Sequence, residues 1–144
     1  MSLNHRVGKS VVRALATSAA LALILFMVPT PARAQASGPW VAPERASHRE
    51  NPLPPTADAV KRGHNLFHRD CEPCHGTAGH GDGMLAASLL PRPADLASKQ
   101  VQSQSDGALF WKMTEGRGVM PKAKLDENEK WAVIDYIRTL AAGR

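Results

Sequence analysis

The chain is short of cysteine. It has two in 144 residues, Cys71 and Cys74. That excludes the disulfide framework with which small exported domains usually compensate for a thin core. A bridge between two residues three apart would close a tiny loop and add little to the fold. Aromatic residues are also scarce, at 5%. No stretch keeps up the apolar–polar alternation of a half-buried strand, which leaves helices and loops. No internal repeat appears, and no nucleophile–base arrangement argues for hydrolysis. The longest apolar run, 14–28, stops at Pro29, short of the about 20 residues that a membrane-spanning helix needs.

Acid is missing altogether from residues 1–34, which carry Arg6, Lys9, Arg13 and Arg33. A basic head, the short run ALATSAALALILFMV and then Ala32 and Ala34 at A-x-A spacing describe a secretory signal peptide cut after Ala34. The expected location is the periplasm. The charge argument changes with the cut. The whole chain has net charge +5. Without those four bases it has 14 bases against 13 acids, a net +1. The high pI therefore belongs largely to the leader, and gives no ground for nucleic-acid binding, which needs a basic face in the folded domain.

Three segments result: a signal peptide over 1–34, a proline-rich extended tail over 35–55, and a folded domain over 56–144. The tail holds Pro39, Pro43, Pro52, Pro54 and Pro55, which cannot propagate a helix. In the domain, Thr56 can cap a helix to about Arg69. Its Val60, Gly63 and Phe67 recur on one face. A short helical turn should carry the cysteines. Ser105 or Asp106 opens another helix, stopped at Gly116. Asp126 with Glu129 makes a variant capping box for the last, where Val133, Tyr136, Ile137 and Leu140 form a stripe. Residues 76–104 read mostly as loop.

The chemistry sits first in Cys71-Glu72-Pro73-Cys74-His75. C-x-x-C-H is the attachment signature of c-type haem. Two thiols on one helical turn can meet the two vinyl-derived positions on one edge of the macrocycle, and the next imidazole then projects at the iron. A thioredoxin-like C-x-x-C would belong in a βαβ unit, which this sequence does not suggest. A structural zinc site would need a fourth ligand from His64, His68 or His80. Solvated surface histidine is the plainer reading of those three.

The second signal is Gly118-Val119-Met120-Pro121. A six-coordinate electron-transfer haem takes a ligand from its other side, and a thioether there favours ferrous iron. Met120 stands 45 residues after His75, in a loop between two expected helices. Met84 is too close to the attachment turn, and Met113 falls on an apolar helix face suited to core packing.

The runs CEPCHGTAGHGDG, RPADL, GALFWKMTEGRGVMP and KWAVIDYIRTL together resemble bacterial class I (monohaem) c-type cytochromes, over about residues 60–140. The resemblance implies a small all-α cytochrome c fold of about four short helices around one covalently bound haem c, with the first and last helices crossing. Gly63 and Phe67 would meet Tyr136 there. Cys71 and Cys74 would form the thioethers, with His75 and Met120 as axial ligands. A loop proline, Pro93 in preference to Pro91, would accept the other ring N–H of His75 through its carbonyl. The implied function is one-electron transport, not enzymatic catalysis, by a soluble shuttle or by the haem subunit of a respiratory or dehydrogenase complex. Its partners would be redox proteins of the periplasm or cytoplasmic membrane. The bases Arg117, Lys122 and Lys124 suggest weak docking on an acidic surface. The alternative is a haem-based ligand sensor or peroxidase with an open distal position.

Overall fold

The structure, a computed structural model, describes residues 38–143. The expected signal peptide lies outside the described residues. Among those described there are six α-helices and no strand: α1 Glu44–Ser47, α2 Ala57–Asp70, α3 Glu72–His75, α4 Lys99–Gln102, α5 Asp106–Glu115 and α6 Glu127–Thr139. Two 3-10 turns, Ala86–Ser88 and Leu140–Gly143, complete the list. No described helix is long and apolar enough to cross a membrane.

Local chemistry starts the long helices where the sequence places them. The Thr56 hydroxyl accepts from the Ala59 N–H at 3.1 Å, and Ser105 accepts from Ala108 at 3.2 Å. Asp126 and Glu129 form a full capping box: Glu129 N–H donates to Asp126, and Asp126 N–H donates back to the Glu129 carboxylate. Each cap answers donors that would otherwise be orphaned.

The core lies where α2 crosses α6. Gly63 permits the approach, because a Cβ there would run into the Ala132 carbonyl. Phe67 then packs on Tyr136, ring centroids 5.2 Å apart. Trp131, Val133 and Ile134 of α6 are fully buried, and Trp131 stacks on Phe110 of α5 at 4.3 Å. Burying such side chains stabilises by about 1.5–3 kcal/mol each. Arg138 clasps α6 to the start of α5, donating to Asp106 and to the carbonyls of Gln102 and Gln104.

The tail departs from expectation. Residues 38–55 do not run as a simple extended arm. Pro43 is the residue that precedes the one-turn α1, and Ala42 is buried. Gly107 of α5 lets this segment pack closely, since a Cβ there would strike the backbone of Ala46 and Arg49. The Arg49 guanidinium lies 4.2 Å from the Phe110 ring centroid, and Ser105 donates to the Ser47 carbonyl at 2.6 Å. The prolines do block a long helix; contacts with α5 and its aromatic face order the chain between them. The one-turn α4 was likewise expected as loop. Ser98 caps it, and Val101 carries it into the core.

Candidate cofactor-attachment site

The chain leaves α2 through Cys71, whose N–H still donates to the Phe67 carbonyl at 2.8 Å. Cys71 also heads the next turn. The N–H groups of Cys74 and His75 donate to its carbonyl at 3.1 and 2.9 Å. Pro73, near the start of this turn, loses no needed bond. Residues three and four apart on a helix share a face. Cys71, Cys74 and His75 are thus grouped by backbone geometry alone. Both cysteines are free thiols. Burial pushes the Cys71 thiol up to about 12, with the Asp70 and Cys74 charges adding to it.

The loop that follows closes over this turn with backbone. Gly76 leaves α3 at φ 78°. The N–H groups of Gly81, Gly83 and Leu85 donate to the carbonyls of His75, Cys74 and Pro73 at 2.8, 3.2 and 2.9 Å. Gly83 must lack a side chain, because a Cβ would meet the backbone of Glu72, Pro73 and Cys74.

His75 donates from Nδ1 to the carbonyl of Ala94, 3.1 Å away. This corrects the expectation for Pro93. The Pro93 carbonyl lies instead against Gly81, where a Cβ would collide with it. The next carbonyl, that of Ala94, is the one that reaches His75. The Nδ1 bond fixes the tautomer and leaves Nε2 with its lone pair free to ligate. Burial lowers the His75 pKa, the Ala94 bond opposing, which also favours the neutral, ligating imidazole.

Met120 lies on a tight turn between α5 and α6. Arg117 and Met120 exchange backbone hydrogen bonds at 2.8 and 3.0 Å, and Gly116 and Gly118 adopt φ of 61° and 58°. The Ala123 N–H donates to the Met113 carbonyl at 2.8 Å and ties the loop down. Half-buried Met120 and Cys71 both pack on the main apolar cluster. The other two methionines among the described residues differ sharply: Met84 is 86% exposed, and Met113 is buried in the core. Two thiols and an imidazole with a free Nε2 on one turn, a thioether on a pinned loop and an apolar cluster touching both fit the demands of a c-type haem.

Comparison with known proteins agrees. Residues 58–137 match the family model described as cytochrome c oxidase, cbb3-type, subunit III. The chain belongs to this family of c-type cytochrome domains. It therefore holds iron-bearing haem covalently. Among solved structures, it is similar to a chain of the Kuenenia stuttgartiensis reducing HAO-like protein complex, at 25% identity and a TM-score of 0.55. The likeness covers 62% of this chain and 46% of that one, so this cytochrome domain matches about half of its neighbour's length. Comparison with curated proteins returned no match.

Ala94 is the site residue that sequence reasoning missed. Its signal was indirect: Gly81, not the prolines, decides which carbonyl faces the histidine. The basic loop is also less bare than its sequence suggests. Arg117 donates to the Gly38 carbonyl at 2.6 Å, and Lys122 pairs with Glu115 at 3.3 Å.

Proposed function

We propose that the chain is an exported one-electron carrier with a single haem, bound through Cys71 and Cys74 and ligated axially by His75 and Met120. Bound haem iron supplies the one-electron chemistry. The protein's residues hold it, exclude water and set its preference for the ferrous state. The observation that carries this reading is the His75–Ala94 bond, which aims an imidazole Nε2 from the same turn that carries both thiols. Met120 on its pinned turn would supply the second ligand to the iron. The family match and the likeness to a chain of the reducing HAO-like complex support a place as the haem subunit of a larger redox assembly; the leader pattern of residues 1–34 supports a periplasmic location after cleavage behind Ala34. Loop 117–124 would face an acidic partner, weakly, since part of its charge is already engaged.

The test is optical. The wild-type ferric protein should be low spin with the weak long-wavelength sulfur-to-iron band, and the ferrous form should bind carbon monoxide poorly. Met120→Ala should lose the band, admit carbon monoxide and lower the reduction potential. Met84→Leu and Met113→Leu should keep the band. A wild type that lacks it and binds carbon monoxide freely would favour the sensor or peroxidase reading. The purified chain should begin at Gln35 by mass analysis; an intact Met1 would remove the export step.

A further inference from the structure

Outside the attachment turn, the described surface gathers histidines at one place. His64 and His68 stand four apart on α2, the spacing that puts two imidazoles on one helix face in metal-binding helices. Their ring centroids are 6.2 Å apart and nearly perpendicular. Both residues are exposed. What distinguishes them from two solvated histidines is the engagement of their Nδ1 atoms. The His68 Nδ1 lies 2.8 Å from the Glu72 carboxylate, which is itself largely covered. The His64 Nδ1 faces the Asn65 side-chain oxygen at 3.4 Å. Carboxylate and amide oxygens accept, so in the neutral ring these contacts place the proton on Nδ1 and leave the Nε2 lone pair for a metal. This is the outer-shell arrangement that orients ligating histidine and raises its basicity. Tyr136 packs edge-on against His64 at 5.0 Å and limits where that ring can swing.

We infer that His64 and His68 form a surface chelate for a borderline divalent transition ion such as Zn2+, Ni2+ or Cu2+, with Glu72 orienting His68. Imidazole nitrogen suits these ions, whereas Mg2+ and Ca2+ seek oxygen. Among the described residues no group of three or more His, Cys, Asp or Glu side chains could hold a metal ion. The protein therefore provides two ligands, and water or a partner's side chain completes the shell. Such a site is exchangeable rather than structural. Its two ligands are distinct from the haem-binding side chains, for His64 and His68 are exposed on α2 while Cys71 packs on the core; only the orienting Glu72 belongs to the attachment turn.

The test uses the haem-loaded protein purified without a histidine tag, and Zn2+ alone as the probe, read by titration calorimetry. One Zn2+ per chain should bind, with the visible haem spectrum unchanged. His64→Ala and His68→Ala should each weaken binding at least about tenfold, and Glu72→Gln about tenfold. His48→Ala and His80→Ala should leave it unaltered. Cu2+ in the same site should give an electron paramagnetic spectrum with two coupled nitrogens. Three results would overturn the inference: no uptake by wild type, a loss in His80→Ala as large as in His68→Ala, or a haem spectrum that shifts with Zn2+. Unchanged affinity in Glu72→Gln would remove the orienting role.

Discussion

Replacing Gly63 by alanine tests the crossing on which the whole domain rests. Two effects oppose each other. In an isolated helix the change is favourable by about 1 kcal/mol, because glycine spends more backbone entropy. In the crossing it is unfavourable. The new Cβ would sit 1.9 Å from the Ala132 carbonyl oxygen and 3.1 Å from the Tyr136 Cβ, where real Cβ atoms do not come within 3.0 Å. The obstacle is backbone, which no rotamer change can move aside. The helices must part by about 1 Å, and a gap of that size forfeits a quarter to a half of each dispersion contact along the seam. The seam includes Phe67, 1% exposed, and Val133, fully buried. Overpacking of this kind costs about 1–3 kcal/mol, and backbone contact places it at the upper end. The net expectation is a loss of about 2 kcal/mol, read as a lower midpoint of denaturant unfolding of the haem-loaded protein, followed by helical circular dichroism. Gly63→Leu should lose more. A Gly63→Ala protein as stable as wild type, or more so, would refute the reasoning, because propensity would then outweigh the crossing.

Asp135 makes a pH prediction. It is buried on α6, accepts from the Asn51 amide at 2.9 Å, and leaves Oδ2 without a partner among the described groups. Burial, with the nearby Asp106 charge, raises its pKa above the ordinary carboxylate value, the Asn51 bond opposing. The folded state thus holds this proton more tightly than the unfolded state. The contribution to stability is complete below the unfolded value and is lost as pH rises through the raised one. Asp135→Asn keeps an acceptor for Asn51, so its stability relative to wild type should improve from about pH 4 to pH 7 in urea titrations; a constant difference would contradict this. Asp126→Ala removes the side-chain half of the α6 capping box, the acceptor of the Glu129 N–H, and should cost about 1 kcal/mol by the same assay, with the haem spectrum unaltered.

The parts of the fold legible in the sequence are those decided within a few residues. Thr56, Ser105 and Asp126 announce their helices because a cap and the N–H it satisfies lie three apart. Of the three one-turn helices, α3 was legible from its cysteines, but α1 and α4 were not. Four residues cannot repay helix nucleation alone, so α1 and α4 exist through what they touch: α1 through Gly107 and α4 through Val101. Both contacts are distant in sequence or invisible to periodicity. The same division explains why a proline-rich stretch read as a free tail is ordered by an aromatic face, Phe110 stacked on Trp131, that lies more than 60 residues away.

The attachment site divides in the same way. The thiols and the imidazole were legible because a helical turn alone groups residues three and four apart. The carbonyl that orients His75 was not, because it depends on where residues 76–83 settle. That segment acts almost entirely through main chain: its N–H groups close the carbonyls of Pro73, Cys74 and His75, and Gly81 and Gly83 admit backbone where any side chain would collide. Sequence patterns record side chains, so a site wall made of peptide groups appears in them only as glycine. Read that way, Gly81 is as much a part of the His75 environment as Ala94, for a methyl at 81 would push the Pro93–Ala94 segment and carry the accepting oxygen with it. The attachment turn of this cytochrome domain is positioned by absent side chains and the Met120 loop by a hydrogen-bonded turn around Gly118, and both meet on one apolar cluster through Cys71 and Met120.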